Sequence, residues 1–100
     1  MTDIVIEKKK LTATRIKEPT KFKVIVCNDD FTTVEFVVAM LVHVFNHSAE
    51  DAVALTLQIH NQGNAVVGVY SCEIAEQKAL DGTQMARAHE FPLLIQVVPE

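Results

Sequence analysis

The strongest constraint on this fold is a change of period between residues 22 and 35. Phe22, Val24 and Val26 alternate with Lys23, Ile25 and Cys27, the two-residue repeat of a strand that turns one apolar face to a core. The repeat stops at Asn28-Asp29-Asp30, residues that favour turns because their side chains hydrogen-bond nearby backbone. Thr32-Thr33-Val34-Glu35 then has the Thr-x-x-Glu spacing of a capping box opening a helix. A strand, a polar knot and a helix start thus follow one another without a linker.

The rest of the chain reads in the same way. Val34 to Phe45 is rich in β-branched residues, yet its length and cap predict a helix that is apolar over much of its circumference. Ser48 offers a second N-cap, with Glu50 and Asp51 placed where a helix dipole favours acids, and this helix runs to about Asn61. Gly63 is the expected terminator, and Ala65 to Tyr70 reads as a buried strand. Ser71 opens a third helix, from Cys72 to about Arg87, in which Gly82 should cost about 1 kcal/mol relative to Ala. Leu93 to Val98 forms the last strand, between Pro92 and Pro99. The order β-α-α-β-α-β describes a small sheet covered by helices.

Composition sets the class of molecule. The chain has 100 residues, 49% hydrophobic and 22% charged, enough apolar content for one domain with a core. Cys27 and Cys72 form neither a disulfide framework nor a zinc spacing, which implies a reducing compartment. The longest apolar run, Phe36 to Val42, falls far below the roughly 20 residues of a membrane span, and no signal-type stretch opens the chain. Charge is uneven: residues 1–23 hold seven bases against three acids, a segment of +4, so with −4 overall the remainder is −8. No aromatic interleaves the basic segment and the rest is acidic, which argues against nucleic acid. Residues 1–20 are expected to be a flexible basic extension able to reach on the order of 65 Å, and residues 21–100 the folded domain.

Catalytic readings find little support. His43 and His47 have metal-ligand spacing, but Val44, Phe45 and Asn46 lie between them where a zinc-peptidase motif needs a Glu, so two surface histidines are the simpler reading. Cys27 and His60 could pair as nucleophile and base, yet Cys27 belongs to a strand pattern. Asp29-Asp30 lack the further acids of a cation site, and Gly63, Gly68 and Gly82 are too scattered for a phosphate loop. These residues imply no cofactor and no metal. Asn28-Asp29-Asp30 are either a plain turn before a helix or a set of oxygen acceptors for a cation such as an ammonium group, with His60 able to join them.

Lys23-Val24-Ile25-Val26-Cys27-Asn28-Asp29-Asp30-Phe31-Thr32-Thr33-Val34-Glu35-Phe36-Val37 resembles the signature of the ClpS family of N-end-rule adaptors. Gln58-Ile59-His60-Asn61-Gln62-Gly63, Val67-Gly68-Val69-Tyr70, Glu73-Ile74-Ala75-Glu76 with Lys78, Ala86-Arg87 and Pro92-Leu93-Leu94 continue the match in order to about residue 98. The resemblance implies a single compact α+β domain with a three-stranded, mainly antiparallel sheet packed against three helices. It also implies a non-enzymatic adaptor that binds the N-terminal residue of a substrate, an N-degron, and delivers it to a ClpAP-type ATP-dependent protease.

By that resemblance, Asn28, Asp29 and His60 would hold the substrate's α-amino group, with Asp30 shaping the rim. Thr32, Thr33, Val34, Val37, Thr56, Ile59 and Leu93 would line the cavity for its first side chain. Glu73 and Lys78 would dock on the N-terminal domain of a ClpA-type unfoldase, and the basic extension would engage it during delivery. Three residues depart from the family pattern. Thr33 stands where Pro is usual, Val34 where a Met gatekeeper is usual, and Thr56 where Met is common. The expected result is an altered first-residue preference, admitting Ile or Val or favouring another aromatic. The alternative these departures leave open is a regulator that docks on the Clp ATPase and binds N-degrons weakly. A bacterial, cytoplasmic protein is expected, since no Arg- and Ser-rich leader is present.

Overall fold

A computed structural model describes residues 20–100, and the expected flexible extension lies outside the described residues except for Thr20. The elements run β1 (Phe22–Cys27), α1 (Val34–His43), α2 (Ala49–Gln62), β2 (Asn64–Tyr70), α3 (Cys72–Ala88) and β3 (Leu94–Pro99). They form one α+β domain, its sheet ordered β2-β1-β3 with both pairings antiparallel. The expected fold class and element order are those observed.

The alternation in β1 gives the sheet a dry side and a wetter one. Phe22, Val24 and Val26 are at most 1% exposed, while Lys23, Ile25 and Cys27 are half-buried. The dry side meets Met40 and Leu41 of α1, Ala52 and Ile59 of α2, and Ala75, Ala79 and Ala86 of α3 in one buried cluster. Burying side chains of this size is worth about 1.5–3 kcal/mol each for the larger ones, which makes the cluster the main source of stability.

Several local expectations need correction. The first helix begins at Val34 as expected, but its N-cap is Thr33 rather than the Thr32 of the capping box, the Thr33 hydroxyl accepting from Phe36 N–H at 3.1 Å. Thr32 is taken by Asp29 instead, as described below. The same helix ends at His43 rather than Phe45. Ser48 caps α2 as expected, accepting from Asp51 N–H at 3.1 Å, but Ser71 has only the extended backbone of an N-cap and makes no side-chain cap bond.

β2 is not a fully buried strand. It is an edge strand with helices on one side only, so Ala65 and Val67 are buried while Val66 and Val69 are 40% and 42% exposed. Val24 pairs with Gly68 but Ile25 with Val66, which leaves Val67 as the extra residue of a bulge. After the bulge the alternation shifts by one, so Tyr70 rather than Val69 stands opposite Phe22. His47 Nε2 lies 2.7 Å from the Val67 carbonyl oxygen. That contact requires the proton on Nε2, and it makes His47 a half-buried brace of the bulge rather than a surface histidine.

Gly82 explains why α3 tolerates a glycine inside it. A Cβ there would stand 2.8 Å from Ile95 Cδ1 and 3.2 Å from Met40 Sδ, so the missing side chain lets the helix sit close to β3 and α1. At Gly68 a Cβ would collide with the ring of Tyr70, which folds back over the strand.

Candidate functional site

The candidate site is built on the six residues between β1 and α1. Cys27 pairs with Asn64, and Asn28 N–H extends the ladder by donating to the Gly63 carbonyl at 2.8 Å. Gly63 can serve because it ends α2 in the left-handed conformation, φ 94°, which an L side chain resists. This one bond fastens the polar turn to the last turn of α2, where His60 lies. Asn28 and His60, 32 positions apart in sequence, are both exposed at this junction.

Asp29 organises the turn. Its Oδ1 accepts from Phe31 N–H and Thr32 N–H, each at 2.8 Å, and its Oδ2 accepts from the Thr32 hydroxyl at 2.7 Å. Burial pushes the carboxyl up, but the Thr32 hydroxyl, the Thr32 and Phe31 amides and the positive charge of Arg87 outweigh it, leaving Asp29 below its ordinary value. Asp29 is therefore an anion at neutral pH. Each carboxylate oxygen has more than one lone pair, so acceptor capacity remains beside the bonds already made. Asp30 is exposed on the same turn.

The apolar residues expected to line a cavity divide into two groups. Val37, Thr56, Ile59 and Leu93 are 6%, 3%, 3% and 1% exposed. Val37 stands on α1, and Thr56 and Ile59 stand on one face of α2 by their three-residue spacing. The hydroxyl of Thr56 donates to the Ala52 carbonyl at 2.7 Å, one turn back along its own helix. Its methyl is then the part left for apolar contact. Val34 is 52% exposed, three residues before Val37 on the same face of α1, while Thr33 is exposed and Thr32 half-buried.

Glu73 and Lys78 lie on α3, away from the turn. Glu73 is exposed in the first helical turn. Lys78 is half-buried rather than part of a plain solvated face: its Nζ donates to the Val44 carbonyl at 2.8 Å and sits 5.5 Å from the Tyr70 ring centre. Burial pushes the Tyr70 phenol up. Among the described residues, no three His, Cys, Asp or Glu gather as a metal site, and no helix is long and apolar enough to cross a membrane.

With this geometry established, comparisons with known proteins become informative. The profile described as ATP-dependent Clp protease adaptor protein ClpS matches residues 17–96. The chain belongs to the ClpS family. A relative from Acetivibrio thermocellus, named ATP-dependent Clp protease adapter protein ClpS, is 45% identical over 92% of this chain and 93% of its own length. One of the same name from Helicobacter hepaticus is 42% identical over 82% of this chain and 83% of its own. The solved structure of Agrobacterium tumefaciens ClpS2 bound to L-phenylalaninamide superposes with a TM-score of 0.81 at 37% identity, over 83% of this chain and all of that one. The resemblance seen in the sequence is borne out, and this ClpS-family chain is an adaptor of the Clp protease whose relatives are bacterial.

Sequence reasoning missed one residue of this neighbourhood. Arg87, quoted only as part of the resemblance, donates from a single guanidinium nitrogen to the carbonyls of Phe91 at 2.7 Å and Leu93 at 3.0 Å, and its charge acts on Asp29. The available signal was a cation in the last turn of a helix, where free carbonyls attract donors.

Proposed function

We propose that this chain binds the free N-terminal residue of substrate proteins and hands them to a ClpAP-type ATP-dependent protease. The observation that carries the reading is the Asn28-to-Gly63 bond, which joins an anionic Asp29 turn to the His60 end of α2 beside the buried faces of Val37, Thr56 and Ile59. A protonated α-amine has three donors and a charge; a carboxylate, an amide oxygen and a ring nitrogen match it. Acetylation removes the charge and leaves one N–H donor of the three. The bound L-phenylalaninamide of the Agrobacterium relative, an aromatic residue with a free α-amine, supports the same chemistry here.

In this reading Asn28, Asp29 and His60 hold the amine and Asp30 shapes the rim. Thr32, Thr33, Val34, Val37, Thr56, Ile59 and Leu93 surround the first side chain. Val34 and Thr56 are short β-branched residues, and Thr56 has its hydroxyl turned to Ala52, so the first-residue preference shifts and admits Ile or Val. Glu73 and Lys78 face the N-terminal domain of a ClpA-type unfoldase, the basic residues before 20 assist delivery, and residues 21–100 work as the adaptor domain in the bacterial cytoplasm. The protein has no catalytic step of its own.

The test is fluorescence anisotropy with labelled peptides beginning with Leu, Phe, Tyr, Trp, Ile or Val, each with a free and an acetylated terminus. Binding of the free forms alone is expected, with Ile and Val among them. Equal binding of acetylated forms would remove the amine site. Rejection of Ile and Val beside ordinary Leu and Phe binding would leave the site and cancel the altered preference. Deleting residues 1–18 should slow degradation of a Phe-begun substrate; an unchanged rate excludes the extension from delivery.

A further inference from the structure

Among the described residues Phe31 is the most exposed large apolar side chain, at 72%, against 52% for Val34 and Leu57. It stands in the polar turn between β1 and α1, where its ring stacks on no other described ring. A single exposed apolar residue needs no explanation by itself, since much of any protein surface is apolar. What singles out Phe31 is the group that holds it. Its N–H donates to Asp29 Oδ1 at 2.8 Å, and Thr32 gives the same carboxylate both its N–H and its hydroxyl. The turn therefore fixes the Phe31 backbone against the proposed amine site and leaves the ring in solvent.

Distances bring a substrate within reach of that ring. A charged amine sits about 2.8 Å from a carboxylate oxygen, so an amine held by Asp29 lies within about 8 Å of the Phe31 nitrogen. The second Cα of the substrate follows within about 5 Å of the amine. Side chains of Phe and Met size can meet across such a span. Direction comes from the cavity. The first side chain enters among Val37, Thr56, Ile59 and Leu93, none more than 6% exposed. Successive side chains of an extended chain point to opposite sides, so the second turns from the buried cavity toward the exposed side of the turn. Of the exposed residues between β1 and α1, which are Asn28, Asp30, Phe31 and Thr33, Phe31 is the one apolar side chain.

We propose that Phe31 is a specificity-determining residue whose ring covers the second side chain of the substrate and favours a large apolar one. The proposal rests on the function proposed above and adds a second position to its selection. Contact removes apolar area from water on both partners, whereas a Gly at the second position leaves the ring wet.

The experiment measures anisotropy of labelled free-amine peptides beginning Leu-Met and Leu-Gly, with the full chain and its variants Phe31→Ser and Phe31→Leu. Wild type should prefer the Leu-Met peptide about fivefold. Phe31→Ser should bring the two affinities within about 1.5-fold, and Phe31→Leu should keep most of the preference because it keeps apolar area. The Met methyl of the bound peptide reports the contact by NMR: it should shift upfield on wild type, over the face of the ring, and lose that shift on Phe31→Leu. A preference that survives in Phe31→Ser belongs to another residue and overturns the proposal. So does a Met methyl with the same shift on wild type and Phe31→Leu. Equal binding of both peptides by wild type removes the second-residue subsite and leaves the functional reading standing; binding of neither rejects that reading and the subsite with it.

Discussion

The two ends of α1 are finished by different means. At the N-terminus, Thr33 serves Phe36 N–H, and Asp29 serves Phe31, Thr32 and the Thr32 hydroxyl, all within three residues of the acceptor. At the other end, the Val44 carbonyl is met by Lys78, 34 positions away, and His47 reaches the Val67 carbonyl 20 positions on. The first end is made by its own turn and forms when that turn forms. The second is closed locally too, by Val44 N–H to the Met40 carbonyl at 2.8 Å and His47 N–H to the Leu41 carbonyl at 3.1 Å, but its Lys78 and His47 side-chain bonds form only once α3 and β2 are in place. The lesson is that the anionic turn, the end the proposed amine site uses, owes its geometry mainly to local bonds, while the Lys78 end reports the integrity of the whole domain.

The largest expected effect breaks the first end. Asp29→Asn keeps an acceptor and loses the charge, so affinity for a free-amine peptide at neutral pH should fall about 10- to 100-fold with the fold retained, because bonds to charged groups carry about 1.5–3 kcal/mol. Anisotropy measures this directly, and affinity within a factor of about two of wild type would deny the carboxylate its role. Lys78→Met attacks the other end: it keeps the apolar stem near Tyr70 but removes the donor to Val44, costing about 1 kcal/mol in urea unfolding. Hydrogen exchange sharpens the contrast, since this variant should loosen amides around Val44 and leave the Phe36 amide protected.

Acid offers a graded form of the same comparison. Asp29 lies lower in the folded protein than in the unfolded chain, so its stabilisation is complete above the ordinary carboxylate range, about pH 4, and is lost as pH falls through the folded value. The urea midpoints of wild type and Asp29→Asn should therefore differ at neutral pH and converge in acid. A gap that persists to the acid limit would assign the difference to shape rather than charge. The smallest expected effect is a gain: Glu90→Gly relieves a left-handed residue, φ 63°, and should stabilise the chain by less than about 1 kcal/mol in the same assay. A loss there would mean that the Glu90 side chain makes a contact worth more than the strain.

What could be read from the sequence follows the range of the contacts. The strand Phe22–Cys27, the Ser48 cap and the Gly63 terminator are written in adjacent residues, and the structure keeps all three. The helix start at Val34 was legible, but the capping-box spacing misplaced the N-cap by one residue because Asp29 competes for Thr32, a choice between two local bonds that spacing alone does not rank. For the candidate site, the types of Asn28, Asp29 and His60 were visible, and the family pattern was needed to group them. The bulge at Val67, the exposure of Val66 and Val69, the close seat of Gly82, and the reach of Lys78 and Arg87 were not visible. Sequence by itself determined the elements, their order and the chemistry of the polar turn, since those depend on residues within about one turn of each other. Tertiary structure alone decided which strand is an edge, where the ladder slips, and which distant cation meets which carbonyl, because each depends on how whole faces pack rather than on neighbours along the chain.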